Sequence, residues 1–450
     1  MSRSALDCWN EIVEASPKAI AIRNPDGTSA SRADLQERSD WLCGQWLEEG
    51  VKPREVLAMV LPNSVEWLEA YLACMKLGAV AVPVDPGFSS LEVDGIAKDL
   101  RVRGVWNGRH FQKGYMKKPY RFRRKDVAVV KLTSGSTGKA KALYFTDSEM
   151  VADARNLIRC MGIRNDDTNL GVIPWGHSYG LGSIVYPLLL QGTRVAWTDT
   201  AFPSEIAKVC RDANCTLFPS VPTVLRALTI SDCGRKDFES LRLTISAGSK
   251  LDPALARGFK SKFGKRVHNF YGSTETGGIC FDRTGEAALS GSSVGEPIEG
   301  VSIIERRSNR FCVASRAVYS YGNRNFTVDG VPMVLMADFG ALNSKGQLVL
   351  EGRARSVLKI GGRRINPIRI ENQLKSIGGV SDALVFSIPR NGEEVLAFAL
   401  ESSLSREEVR PLLKERLAAR DRPKKWIVYE RFPVSSRGKT NIAVIKGDVV

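Results

Sequence analysis

A chain of 450 residues exceeds one ordinary domain and predicts two or three. Hydrophobic and charged shares of 43% and 25% are those of a globular protein with a sizeable core, which excludes a disordered or fibrous chain. The net charge of +16 points to anionic partners or substrates.

Along the chain, SRADLQERSDWLCGQWLEEG predicts an amphipathic helix. Leu35, Leu42 and Trp46 share one face, Ser31 is the N-cap and Gly50 the stop. VLAMVLPNS predicts a buried strand, SVEWLEAYLACMKLG a helix closed by Gly78, and AVAVPVD a second buried strand. Strand–helix–strand alternation argues for a parallel sheet covered by helices. The pattern resumes after residue 126 with VAVVKL, TNLGVIP, TRVAWTD, CTLFPSV and RLTISAG, all strand-like. A smaller α+β unit is expected over 353–450: SVLKIGGRRINP as strand–turn–strand, PIRIENQLKSIGG as a helix, DALVFSIP and EVLAFALE as strands, and SREEVRPLLKERL as a helix capped by Ser405. The expected fold is therefore α/β. A large N-terminal domain of helix-covered, mainly parallel sheets (1–352) precedes a small mobile α+β lid (353–450).

The N-terminal MSRSALDCWNE has no signal-peptide run, no stretch reaches the length of a membrane span, and KGDVV carries no lipidation signature. The nine cysteines have no CxxC pair and read as reduced thiols of a cytoplasmic protein. The three histidines, His110, His177 and His268, lack zinc spacing. Residues 101–125, RVRGVWNGRHFQKGYMKKPYRFRRK, hold ten Lys or Arg and no Asp or Glu, with interleaved aromatics. Such a stretch is either a solvated sheet edge or a docking face for an acidic carrier protein or an anionic surface; a nucleic-acid role is the less favoured alternative.

VKLTSGSTGKAKAL, residues 130–143, looks like a phosphate loop but is not a Walker loop. Thr133 occupies the place of the first glycine and Ala140 that of the magnesium-binding hydroxyl. Its hydroxyls and glycines still suit an anion. Five further stretches follow: IPWGHSYGLG (173–182), ISAGSKLDP (245–253), NFYGSTETGG (269–278), ADFGALNSKGQLVLEGRARSVLKIGGRRINP (337–367) and FPVSSRGKTN (432–441). In this order and spacing the set resembles the adenylate-forming (AMP-binding) superfamily, which includes acyl- and aryl-CoA synthetases, peptide-synthetase adenylation domains and luciferases. The resemblance spans nearly the whole chain.

The resemblance implies roles. Thr133, Ser134, Gly135, Ser136, Thr137, Gly138 and Lys141 would grip the ATP β- and γ-phosphates. Ala247, Gly248 and Ser249 would line the adenine edge, with Tyr271 flat against the base beside Gly272. Thr274 would meet the α-phosphate and Glu275 a Mg²⁺ bridging ATP oxygens. Asp338 would accept both ribose hydroxyls, although Met336-Ala337 replaces the usual Thr-Gly before it, and Arg353 would add a ribose or phosphate contact. Arg355 would be the hinge. Lys439 would lower the repulsion between the acid's carboxylate and the α-phosphate. Lys359, Gly361 and Gly362 would form the face presented to the thiol, and Arg363 and Arg364 would meet CoA phosphates or an acidic carrier. His177 would gate the acyl tunnel, touch the acyl or carboxylate group, or simply pack; Trp175, Tyr179, Leu181, Val221, Leu225 and Ile279 are candidates for the tunnel wall. The family's amino-acid-activating members usually carry Asp where His177 stands, which favours a fatty, aryl or other non-amino acid. Arg369 departs from a glutamate usual two residues before Glu371, and the chain is short before the phosphate loop and around 305–335.

The implied function is ATP-dependent activation of a carboxylic acid as an acyl-adenylate, then transfer to a thiol, with coenzyme A as the expected acceptor. The alternatives are an acyl-carrier-protein ligase sharing the adenylation step and a non-catalytic AMP-binding homologue.

Overall fold

A computed structural model describes residues 3–114, 119–122, 126–134, 140–198, 200–306, 309–320, 326–353, 358–360, 363–365, 367–390, 393–417, 421–434 and 440–449. The chain packs as two compact units. One comprises Met1–Met336 with Ala341–Val349, and the other Ala337–Gly340 with Leu350–Val450.

The larger unit is built on two helix-covered sheets. In the six-stranded sheet the order is Phe111–Lys113, Gly104–Trp106, Val56–Val60, Val80–Val84, Val127–Ser134, Ala140–Thr146. Its four central strands run parallel and its outer pairs are antiparallel hairpins. The central strands are Val-rich and buried on both faces, as a helix-covered parallel sheet requires. The nine-stranded sheet runs Glu296–Pro297, Gly277–Phe281, Val267–Ser273, Leu243–Ser246, Leu217–Ser220, Thr168–Gly171, Arg194–Trp197, Ile20–Arg23, Ser29–Ser31. From Val267–Ser273 to Ile20–Arg23 the neighbours are parallel.

Local signals account for the helices. Arg32–Glu48 starts at Ser31, whose hydroxyl accepts from the Asp34 amide while the Asp34 carboxylate accepts from the Ser31 amide. Leu35, Leu42 and Trp46 are buried on its inner face. The helix Val65–Leu77 ends on Gly78 at φ +66°. The helix Asp147–Met161 opens with a Thr146–Glu149 capping box. It carries four buried polar residues, Glu149, Asp153, Asn156 and the cap Thr146, a first sign that its inner face is not plain core.

Asp167, fully buried, braces the nine-stranded sheet. Its carboxylate accepts from the Arg164 amide (2.7 Å), the Thr216 hydroxyl (2.7 Å) and Arg242 Nε (2.8 Å). Burial alone would raise this carboxyl, but the Arg242 guanidinium and these donors outweigh it and hold it below the usual carboxylate range.

The second unit has a hairpin, Leu358–Ile360 with Arg363–Ile365, and a three-stranded sheet of Val380–Arg390, Glu393–Ser402 and Lys425–Tyr429. Helices Pro367–Lys375, Arg406–Arg416 and Ile442–Val449 complete it. Ser405 is the expected N-cap, and it forms a capping box with Glu408. Glu371 accepts from the Val385 amide at 2.8 Å and ties the first of these helices to the sheet.

Three cations of the basic stretch have partners elsewhere in the fold, although Arg101, Arg109, Lys113 and Arg121 are themselves exposed. Arg103 donates to the Glu49 carbonyl (2.9 Å) and lies 3.7 Å from Glu55, Lys113 pairs with Glu49 (3.0 Å), and Arg121 donates to the Pro53 carbonyl (3.0 Å). Its aromatics turn inward: Trp106 packs edge-on against Trp46, and Phe122 against Tyr144. All nine cysteines are free thiols. Among the described residues no helix is long and apolar enough to cross a membrane.

Candidate active site

Four parallel neighbours of the nine-stranded sheet, Thr168–Gly171, Leu217–Ser220, Leu243–Ser246 and Val267–Ser273, all run in one direction. Their carboxyl ends therefore lie side by side, where open α/β sheets receive ligands. The segments singled out from sequence emerge there. His177 follows the first strand, Val221 the second, Ala247–Ser249 the third, and Tyr271–Glu275 ends the fourth.

Each segment has a local cause. Ala247 is buried and its amide donates to the Ser220 carbonyl (3.1 Å), while Gly248 takes φ +85°, which favours glycine, and leaves Ser249 exposed. Tyr271 is half-buried and pairs with Cys280 across an antiparallel hairpin; Gly272 pairs with Gly278. A turn at 274–276 leaves Thr274 and Glu275 half-buried. The turn is pinned by the Ser273 and Thr276 hydroxyls 3.0 Å apart and by the Tyr319 amide, which donates to the Glu275 carbonyl at 3.2 Å. Gly277 leaves the turn at φ +70°.

The stem of the phosphate-loop candidate is the hairpin of Val127–Ser134 and Ala140–Thr146, in which Thr133 faces Lys141 and Ser134 faces Ala140. Thr133 is half-buried and Lys141 exposed. Gly135, Ser136, Thr137 and Gly138 lie outside the described residues, as do Arg355, Gly361, Gly362 and Lys439 and the side chains of Ser134, Arg353, Lys359, Arg363 and Arg364. Asp338 is half-buried on Val331–Leu342 and packs with the second unit.

His177 is exposed, just before a one-turn helix, Ser178–Gly180. Tyr179 stacks obliquely on Phe270, with ring centroids 5.5 Å apart, and burial pushes its phenol well above the ordinary range. Trp175, Leu181, Leu225 and Ile279 are fully buried: the first two belong to the core between the sheets and Leu225 to the core under the neighbouring helices. Of the wall candidates, only Tyr179 and Val221 are half-buried. Among the described residues no three His, Cys, Asp or Glu side chains converge as a metal site, so the carboxylate of Glu275 stands as a single candidate ligand.

Sequence reading did not single out a charged cluster directly beneath this region. Lys131, two residues before Thr133, is buried and its ammonium donates to the Ser178 hydroxyl at 3.1 Å. It also lies 4.0 Å above the Phe145 ring. Glu149 and Asp153 supply the nearby negative charge. The only signal was a lysine inside the apolar run VAVVKL.

An α/β fold of large N-terminal and small C-terminal domains, with these segments at the carboxyl ends of parallel strands, is the architecture of adenylate-forming enzymes. The AMP-binding enzyme family model matches residues 9–113 and 106–306, and the chain belongs to that family. Among curated relatives, a feruloyl-CoA synthase of Amycolatopsis sp is 25% identical, covering 96% of each chain. Among solved structures, ATP-bound MatB from Rhodopseudomonas palustris superposes with a TM-score of 0.80 at 20% identity over 99% of each chain. The o-succinylbenzoate CoA synthetase of Bacillus subtilis, holding its acyl-adenylate intermediate, does so at 0.78 and 23% over 97% of each. The class is that of AMP-forming acid–thiol ligases.

Proposed function

We propose that this enzyme activates a non-amino carboxylic acid with ATP, releasing pyrophosphate, and passes the acyl group to the thiol of coenzyme A with release of AMP. The observation that carries this reading is the gathering of the 177–179, 247–249 and 271–275 segments at neighbouring strand ends, with the stem of the phosphate-loop hairpin joined to the first of them through Lys131 and Ser178. Activation is needed because a carboxylate is a poor electrophile, and AMP is a good leaving group. No enzyme nucleophile is required, in keeping with the thiols of Cys74, Cys160 and Cys280, which burial pushes far above their usual range and so keeps protonated.

In this reading the hydroxyls of 133–137 and Lys141 hold the β- and γ-phosphates, Tyr271 covers the adenine, and Asp338 and Arg353 take the ribose. Thr274 meets the α-phosphate. Glu275 offers one hard oxygen to Mg²⁺ arriving with ATP, which would neutralise phosphate charge. Lys439 brings the acid to phosphorus. The small domain, divided from the large one at 352/353, then turns about Arg355 to present Lys359, Gly361 and Gly362 to the thiol. His177 and the Tyr179–Phe270 pair border the acid, and the aromatic surface suits an aryl or short apolar group.

Carboxylate-dependent exchange of labelled pyrophosphate into ATP, run across fatty acids, benzoates, cinnamates and amino acids, tests the reading. Exchange with a non-amino acid and AMP release on adding CoA are expected. Exchange with amino acids alone, or none with any acid in protein that binds ATP, would overturn it.

A further inference from the structure

Lys131 sits where a lysine is expensive. It shares a strand face with Val129, and that face packs into the core between the sheets. A buried ammonium is retained only where acceptors and counter-charge repay its lost hydration. Yet among the described residues Lys131 makes no ion pair within 4 Å; its one hydrogen bond is to Ser178, and the rest is the face of Phe145.

The counter-charge comes from two carboxylates one turn apart on Asp147–Met161, and both are already committed. Glu149 accepts from the Ser320 amide (3.0 Å) and the Thr146 amide (2.8 Å). Asp153 accepts from the Gly278 amide (2.9 Å), and any side chain at Gly277 would run into its carboxyl group. Burial pushes both carboxyls up and the ammonium down to about 8; it is opposed at Lys131 by the two carboxylates, at Asp153 by Lys131, and at Glu149 by the hydrogen bonds from Ser320 and Thr146. One cation thus lies among four chain segments: the strand leading to Thr133, the Ser178 turn beside His177, the strand following Thr274–Glu275, and the loop at Tyr319–Ser320.

Resting on the adenylation reading, we propose that Lys131 is a positioning residue for that step: through Ser178 and Asp153 it sets the His177–Tyr179 segment against the Thr274–Glu275 turn, and so the approach of acid to α-phosphate. It touches neither reactant. Its loss should therefore appear in how the acid is used and leave ATP binding in place.

The test uses the full-length enzyme with Ser178→Ala, Lys131→Met, and Lys131→Met combined with Asp153→Asn. Pyrophosphate exchange gives kcat and KM for acid and ATP, calorimetry gives the ATP Kd, and amide hydrogen exchange is read without substrates. Ser178→Ala and Lys131→Met should lower kcat/KM for the acid about 10- to 100-fold, the range of a charge-assisted hydrogen bond. The ATP Kd should move less than about 3-fold, a shift below the worth of one hydrogen bond. Amides at 178–182 and 277–280 should lose protection together. The double variant, which removes one charge of each sign, should regain part of both losses. Folded variants with wild-type acid kinetics and protection would overturn the proposal, as would losses in ATP affinity matching those in acid use. If Lys131→Met does not fold, Ser178→Ala decides. Wild-type protein with no exchange on any acid would sink the adenylation reading instead, and the amide protection would still decide whether Lys131 positions these segments.

Discussion

Gly277→Ala perturbs the candidate site at one atom. Gly277 stands at φ +70°, directly after the turn that carries Thr274 and Glu275. An L-residue in the left-handed region costs about 1–2 kcal/mol. The new methyl would also meet the Asp153 carboxyl group well inside van der Waals contact. Asp153 cannot swing away cheaply: it is 2% exposed and accepts from the Gly278 amide at 2.9 Å. Displacing it forfeits a charge-assisted hydrogen bond, about 1.5–3 kcal/mol. The two costs together come to about 2.5–5 kcal/mol.

Chemical denaturation of wild type and variant reads the first consequence, and pyrophosphate exchange at saturating ATP the second. Gly44→Ala is the internal control. Gly44 lies in the helix Arg32–Glu48 with open space around its missing side chain. Alanine there should stabilise by about 0.5–1 kcal/mol. A Gly277→Ala protein within about 1 kcal/mol of wild type, with full exchange activity, would refute both the strain argument and the placement of Asp153 against the turn.

Arg242→Met should destabilise the fold by about 1.5–3 kcal/mol, the worth of a charge-assisted hydrogen bond, because Arg242 is itself exposed and Thr216 and the Arg164 amide still bind Asp167. The sign in pH follows from Asp167's depressed folded pKa: its contribution is complete above the ordinary aspartate value and drains as pH falls through the folded one. Urea midpoints between pH 2 and 7 check this: the fall on the acid side should be smaller in the variant, whose Asp167 has lost the guanidinium that depresses it. Lys439→Ala should cost at least about 100-fold in acid-dependent exchange, the scale of removing one preorganised charge, with the ATP Kd kept by calorimetry; undiminished exchange would remove Lys439 from the chemistry. Glu275→Gln should raise the magnesium concentration needed for half-maximal exchange, and an unmoved magnesium titration would dismiss Glu275 as a metal ligand.

What was legible in the sequence is local. Ser31 with Asp34 and Ser405 with Glu408 announce two helix starts because a capping box is settled within four residues. Gly78 announces a stop because only a left-handed residue closes that helix comfortably. The apolar strands were legible as strands, but not their order: nothing within TNLGVIP says that it lies between Leu217–Ser220 and Arg194–Trp197. Motif order carried the family. An acyl-pocket wall is not legible, since an aromatic or aliphatic residue at a strand end reads alike whether it would line a pocket or fill a core, and Trp175 and Leu225 are both fully buried.

Two charge patterns have one physical origin. In residues 101–125 the lysines and arginines suit a solvated edge or a docking face; Arg103, Lys113 and Arg121 find partners in Glu49, Glu55 and backbone carbonyls that lie elsewhere in the chain, with Lys113 and Arg121 still exposed. In VAVVKL a single lysine interrupts an apolar strand, and Lys131 is buried because Glu149, Asp153 and Ser178 come to it from helices further along. A charge acquires its role from partners, and partners are delivered by the fold. Net charge therefore says little about where this protein meets an anion, whereas one cation with two shared carboxylates gives a coupling that can be measured. Neutralising Lys131 and Asp153 together should harm the enzyme less than neutralising Lys131 alone, a result that two independent surface charges would not give.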